Sequence, residues 1–394
     1  MKNYLYFFLA LLVMVTGCKK MHDSYIDFVK PGGITYVERA KSVKTYSGFK
    51  RIKFEWPGPV DPNVSKAHIY WNNFLDSVII DIPADIDSIR YFLDIPEGTY
   101  SFTIRTYDNL GNRSVPVEVQ GRSIGDSFLS NMFNRPLVNA FVDNVDGRLQ
   151  LNWGGADIHN GSVGHELRYI NKSGTETKLF VKPETVTSIL NDYKNGTDLV
   201  HETWYLADTT SVDTLKTTES VFSSKAIRYK MDRSKFSEYV LPTDAIARAD
   251  IGWFLRNAWD GNRNPDPGYH SFNVPKPAHV SIDLGTADYS LYSFRLWQRT
   301  DWGSSYSHGN PKTFTLWGSN NPASDGSYTG WTKLGDFTSN THVLADGELF
   351  TIPSDAPASR YLRIQVHSTW GYGTAADPIV MMEIELMGNF IGGN

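Results

Sequence analysis

Along most of this chain, apolar and polar positions alternate in short runs bounded by Gly, Pro, Asn and Asp, and no long stretch repeats at helical spacing. A period of two sends successive side chains to opposite faces of a strand, so the pattern predicts short β-strands joined by turns. Two stretches follow one plan. The first carries Arg51-Ile52-Lys53-Phe54-Glu55-Trp56, then Ala67-His68-Ile69-Tyr70-Trp71, then a longer run from Gly98 to Asp108. The second carries Arg148-Leu149-Gln150-Leu151-Asn152-Trp153, then His165-Glu166-Leu167-Arg168-Tyr169, then His201 to Asp208. In each, an alternating strand ends in tryptophan, the next ends in aromatics, and a third runs into a polar turn. Trp56 and Trp153 have polar neighbours facing the other way, so both are expected in cores rather than at a ligand. Asp108-Asn109-Leu110-Gly111-Asn112 reads as a hairpin turn. The chain opens differently, with Lys2 followed by an almost unbroken apolar run from Tyr4 to Val15. That run is shorter than the roughly 20 residues a spanning helix needs, and fits a signal h-region. Beyond Cys18, the polar stretch Lys19 to Lys30 and Pro31-Gly32-Gly33 have little to bury and read as a tether.

Val15-Thr16-Gly17-Cys18 resembles the bacterial lipobox. The resemblance implies a signal peptide over 1–17, a diacylglycerol on the Cys18 thiol and a lipidated tether over 18–33. The repeated strand plan is similar to fibronectin type III domains, sandwiches of about 100 residues, expected here over 34–122 and 123–225. Met21 to Leu137 also resembles a family of Bacteroidetes surface lipoproteins carrying this sandwich. The matching pieces are Ala67-His68-Ile69-Tyr70-Trp71-Asn72-Asn73, Pro96-Glu97-Gly98-Thr99-Tyr100 and Tyr107-Asp108-Asn109-Leu110-Gly111-Asn112. This second resemblance implies a place beside polysaccharide-utilisation systems and no chemistry.

From Ala245 the texture changes. Trp259-Asp260-Gly261-Asn262, Tyr269-His270-Ser271, Val280 to Gly285, Arg295-Leu296-Trp297-Gln298-Arg299, Gly309-Asn310-Pro311-Lys312, Leu316 to Asn320, Arg360 to Ile364 and Glu383 to Gly388 follow in order. Together they resemble the discoidin, or coagulation factor 5/8 type C, domain, a jelly-roll sandwich shared with galactose-binding-like carbohydrate modules and expected over 240–392. The expected fold class is all-β: two fibronectin type III-like sandwiches followed by a discoidin-type jelly-roll sandwich. The residues agree without the name. Val280 to Leu284 alternates and stops at Gly285, and Phe314 and Leu316 run into the turn Gly318-Ser319-Asn320-Asn321-Pro322. In Arg360 to Val366 the apolar set is Leu362, Ile364 and Val366, with Arg363 and Gln365 on the other face.

Two sites follow from this resemblance. In related domains an Asp-Gly-Asn loop and a Glu on the last strand hold a structural calcium, and the matching residues are Asp260, Asn262 and Glu383. Calcium takes six to eight oxygens, which two carboxylates and nearby carbonyls would begin to supply. Arg263-Asn264-Pro265-Asp266-Pro267-Gly268 departs from the pattern with two prolines, and the plainer alternative is a turn beside a solvated Glu383. The second site is for sugar. Aromatic faces cover the apolar C–H patches of a pyranose, and planar polar groups meet its hydroxyls. Arg299, Asp301, Trp302, Tyr306 and His308 share one loop, and Trp370-Gly371-Tyr372-Gly373 forms another in which glycines let rings protrude. The resemblance carries binding roles onto His270, Arg299, His308 and Trp370, with His308 standing where Asn is expected for galactose. The candidate set is His270, Arg299, Asp301, Trp302, His308, Trp370 and Tyr372. Trp302 and Trp370 are expected to be exposed, and Trp297 and Trp317 to lie in the core.

Composition narrows the function classes. Cys18 is the only cysteine, which rules out an intrachain disulfide and disfavours a Cys-based zinc site or a Cys–His nucleophile. The formal charge is −5 with no basic stripe, so nucleic acid is set aside as a partner. No His-Glu-x-x-His or phosphate loop is present. Asp301, Asp377 and Glu383 show no second carboxylate placed as glycoside hydrolysis requires. The expectation is a non-catalytic lipoprotein, held at the outer membrane and facing the cell surface, that binds glycan through its C-terminal domain. The alternative is a structural subunit of an outer-membrane uptake complex without direct sugar binding. Solvent exposure of Trp302 and Trp370 around a shallow groove, beside His270 and Arg299, favours the first; a flat apolar patch at the same loops, with those histidines buried, favours the second.

Overall fold

The computed structural model describes residues 33, 35–143, 145–263, 267–340, 345–371 and 376–392, with Trp302 described by its backbone alone. The expected signal peptide, Cys18 and Tyr372 lie outside the described residues. The chain is all-β and divides into two compact units, Met1–Asn131 with Leu206–Leu215, and Met132–Tyr205 with Lys216–Asn394. No helix of the described residues is long and apolar enough to cross a membrane.

The first unit contains β1 (Lys44–Phe49), β2 (Arg51–Pro57), β3 (Val64–Trp71), β4 (Asp76–Asp81), β5 (Ser88–Asp94), β6 (Gly98–Asp108) and β7 (Val117–Ile124). They form one sheet ordered β4-β3-β6-β7-β1-β2-β5, antiparallel except where β1 runs parallel to β7. The alternation in β2 buries Ile52, Phe54 and Trp56 completely or nearly so, against Ala67 and Ile69 of β3 and Phe102 and Ile104 of β6. Phe54 and Phe102 meet edge to face with centroids 4.9 Å apart although their strands are not sheet neighbours. The sheet therefore wraps into two facing layers, a sandwich. After β6 the Asp108 carboxylate accepts the Leu110 and Asn112 N–H groups, closing the expected turn.

The second unit begins with β8 (Leu137–Asp143), β9 (Arg148–Trp153), β10 (Ser162–Ile170), β11 (Glu176–Val181), β12 (Thr187–Leu190) and β13 (Leu199–Tyr205). Trp153 is buried as expected and donates from Nε1 to Ser188 Oγ at 2.9 Å. Two buried imidazoles, His165 and His201, pack on its ring at 4.1 and 5.6 Å. The C-terminal part adds β14 (Arg228–Lys230), β15 (Ala278–Asp283), β16 (Tyr289–Trp297), β17 (Pro311–Ser319), β18 (Thr332–Thr338), β19 (Glu348–Thr351), β20 (Tyr361–Thr369) and β21 (Glu383–Phe390).

One seven-stranded sheet, β12-β9-β8-β14-β21-β16-β19, crosses the boundary expected near residues 225–240. The short β14 joins its halves, with Tyr229 opposite Val142 on one side and Gly388 on the other. Facing it is a second sheet in which β15, β20, β17 and β18 are successive neighbours. Phe294 and Phe350 from the first sheet meet Phe314 and Phe337 from the second, with Phe314 and Phe350 centroids 5.0 Å apart. The outer face of β20 is dry at one position. Arg363 is fully buried, pairs with Asp244 at 2.9 Å, and donates to Gly326 O and Thr243 Oγ1.

Candidate functional site

The loop between β16 and β17 is fixed by a buried amide. Asn310 accepts the Arg299 N–H on Oδ1 at 3.0 Å and donates from Nδ2 to Arg299 O at 2.9 Å and Ser304 O at 3.0 Å. The Arg299 guanidinium then binds Asp301 through two hydrogen bonds, Nε to Oδ1 at 2.7 Å and Nη2 to Oδ2 at 3.1 Å. It also lies against the ring of Trp253, whose centroid is 4.9 Å from the guanidinium carbon. A planar fork held at both ends loses little entropy when it meets a further acceptor.

His270 arrives from a different part of the chain, the two-residue strand Tyr269–His270 paired with Val380–Met381. Its ring stands edge-on to Trp253 at 5.5 Å. Nδ1 lies 2.7 Å from Ser271 O, so Nδ1 carries the proton and Nε2 presents a lone pair. Burial lowers its pKa, the Ser271 bond opposes that, and the charges of Arg299, Arg248 and His308 lower it further. It is thus a neutral acceptor at pH 7. His308, with φ of 54°, sits two residues before Asn310, its Nδ1 2.8 Å from Ser307 Oγ.

The late loop closes the cluster. Trp370 N–H donates to Asn310 O at 2.8 Å. Gly371, at φ 112°, passes so close to Ser307 that a Cβ would lie 2.6 Å from its Cα. The Trp370 ring meets Tyr306 edge-on at 5.1 Å, and the Lys312 ammonium sits 4.2 Å from its centroid. Trp370 is therefore half-buried, not the exposed platform expected, because Lys312 covers part of the ring. Of the tryptophans expected in the core, Trp297 is buried, whereas Trp317 is half-buried and bonds Gln365 Oε1 from Nε1. The fold brings His270, Arg299, Asp301, His308 and Trp370 to one edge of the C-terminal sandwich. Trp253, on which two of them pack, escaped sequence reasoning because Gly252-Trp253-Phe254 belongs to no alternating run.

The calcium residues behave differently. Asp260 and Asn262 are exposed, and Asp260 Oδ1 accepts the Asn262 N–H at 2.7 Å in a local turn. Glu383 is 2% exposed and accepts the Gly261 N–H on both oxygens, at 3.2 and 3.1 Å. Arg233 donates to the same carboxylate at 3.2 Å. A Cβ on Gly261, whose φ is 92°, would strike that guanidinium at 2.5 Å. Burial pushes the Glu383 pKa up to about 7, opposed by Gly261 and Arg233. A calcium ion needs an ionised oxygen cage and no cation beside it. Here a guanidinium already stands against the one buried carboxylate, and no group of three His, Cys, Asp or Glu capable of holding a metal occurs among the described residues. Among the described residues, the Arg233 guanidinium is the cation that faces the buried Glu383 carboxylate.

Comparison with known proteins returns two families. Residues 18–215 match DUF4998 and residues 259–388 match DUF5000, each described as a domain of unknown function. No curated protein matches the chain. Among solved structures, a SusE-like protein, BT2857, aligns over 89% of this chain and 97% of its own, at 17% identity and a TM-score of 0.38. A two-domain fibronectin type III segment of chicken tenascin aligns over 47% of this chain and 99% of its own, at 11% identity and a TM-score of 0.21. Chicken CNTN1 FN1–FN3 domains align over 88% of this chain and 98% of theirs, at 12% identity and a TM-score of 0.21. With the DUF4998 match spanning half of its length, the chain belongs to the DUF4998 family.

Proposed function

We propose that this protein is a non-catalytic, lipid-anchored glycan-binding protein of a polysaccharide-utilisation system, and that sugar binds at the loop edge of its C-terminal sandwich. The observation that carries the reading is the convergence on Trp253 of Arg299, braced by Asp301, and of a neutral His270. Such a set offers guanidinium donors and a lone-pair acceptor at fixed positions, which suits adjacent sugar hydroxyls. The edge is polar rather than flat and apolar, which favours sugar over a protein partner.

The test is a glycan array on the mature chain, with Arg299→Ala and Trp370→Ala alongside. Binding that weakens about tenfold or more in Arg299→Ala supports the reading. If the wild-type protein retains no glycan, the reading is lost. The anchor has its own check: Cys18→Ala should move the protein from the membrane fraction to the soluble fraction, and unchanged membrane association would count against lipidation.

A further inference from the structure

The hairpin joining β3 to β4 breaks a turn rule. Asn72, Asn73 and Phe74 have φ values of 50°, 52° and 67°, and Leu75 N–H bonds Asn72 O at 3.0 Å. Left-handed backbone at both central positions is type I′ geometry, which favours Asn followed by Gly. Asn73 obeys this preference. Phe74 does not: a bulky residue is strained at that φ. No burial compensates, since Phe74 is 60% exposed. Neither the turn nor the core accounts for a phenylalanine here.

What lies beside it does. The Phe74 ring is 5.3 Å from that of Tyr70. Tyr70 is in turn held by its hydroxyl, 2.9 Å from His68 Nδ1 and 3.0 Å from the Tyr107 hydroxyl. Strand register sets Thr103 opposite Tyr70 and Glu118 opposite Thr103, and places Gln120 opposite Ser101 on the same outward face. These side chains line a groove of about 440 Å³ across β3, β6 and β7, with Asn73 and Phe74 at its hairpin end.

The geometry points to a second carbohydrate site in the first unit, for a neutral oligosaccharide with one pyranose against Phe74 and Tyr70. The two rings supply apolar faces for sugar C–H groups. Thr103, Asn73, Gln120 and Glu118 supply a hydroxyl, two amides and a carboxylate, which both donate to and accept from hydroxyls. Glu118 is the one charged residue of the lining, so an anionic polymer is disfavoured. The groove volume lies within the range of roughly 300–1,000 Å³ usual for small-molecule sites. A peptide adding as a strand to β3 or β6 is excluded, because each is paired on both sides. This site goes beyond the loop-edge reading and uses none of its residues.

The test uses the full mature chain with hexaoses of the gluco, manno, xylo and arabino series as probes, in affinity titrations. Phe74→Ala should lower affinity for at least one hexaose by about tenfold, and Glu118→Ala/Gln120→Ala should do the same while far-ultraviolet circular dichroism stays unchanged. Phe74→Gly separates binding from folding, since it should raise the unfolding midpoint while weakening the same hexaose. Wild-type affinity in all three variants for every hexaose overturns the site. If Arg299→Ala alone then weakens binding, the loop-edge function survives and the groove does not. If Phe74→Ala alone weakens it, the groove stands and the loop edge does not.

Discussion

The two units treat ionisable side chains in opposite ways. Among the described residues, the buried polar groups of the first unit are serine and threonine, and its core is aliphatic and aromatic. The second unit takes Arg135, His165, His201, Arg363 and Glu383 inside. Both are built from strands of the same period. The difference arises because alternation assigns a residue to a face, whereas dryness depends on what later covers that face. Gly326, Tyr328, Trp331 and the Thr243-Asp244 segment cover Arg363 in the second unit. On the first unit's β3, β6 and β7, the corresponding outward face is left as a groove.

The largest way to break this contrast is Asp244→Ala. It leaves Arg363 charged in a dry layer and should cost the second unit about 3–5 kcal/mol. Arg90→Ala, which removes the exposed partner of Glu55 in the first unit, should leave the first unit's unfolding midpoint nearly unchanged. Denaturant titration read by peptide-resolved hydrogen exchange reports each unit separately, and equal effects would sink the contrast.

Acid comes next. Burial, with lesser contributions from His201 and Arg135, pushes the His165 pKa down to about 3, against an ordinary 6.5. The unfolded chain then takes a proton below pH 6.5 that the folded chain refuses. The second unit should lose stability as pH falls from 6.5 towards 3, by about 2 kcal/mol at pH 5. His165→Gln should remove that slope; an unchanged slope in this variant assigns the acid sensitivity elsewhere.

Glu383 works with the opposite sign. Its folded pKa of about 7 exceeds the ordinary 4.5, so its contribution is full below pH 4.5 and lost as pH rises through 7. Glu383→Gln should flatten that part of the profile and raise the melting temperature at pH 8, by the equivalent of up to about 3 kcal/mol. A lower melting temperature at pH 8 would show that the Arg233 and Gly261 bonds outweigh the burial cost. A small effect, opposite in sign to that of Asp244→Ala, is that of Phe74→Gly, which should stabilise the first unit by about 1 kcal/mol through relief of the left-handed strain. No gain in its hydrogen-exchange protection would mean the hairpin is unstrained.

Much of the fold is legible one strand at a time. Trp56 and Trp153 occupy the core positions their alternation implies, Leu362, Ile364 and Val366 face inward, and Asp108 to Asn112 forms its turn. The candidate site is less legible. Arg299 and Asp301 are two residues apart and could be paired on paper, but Trp253 and His270 reach them only through packing. Lys312 over Trp370 and Arg233 against Glu383 changed the expected roles of both partners, because each cation comes from a segment that no periodicity links to its target.

Pleat, turn sterics and the small core-facing set are short-range properties, governed by neighbours within a few residues, and the order of amino acids is enough to specify them. Register and coverage are long-range. The short strand β14 that joins two expected domains into one sheet, the burial of Arg363 and the groove beside Phe74 each depend on segments far apart in the chain. Their encounter is settled only when the sheets pack, since a one-residue shift of register would send each of these side chains to the other face.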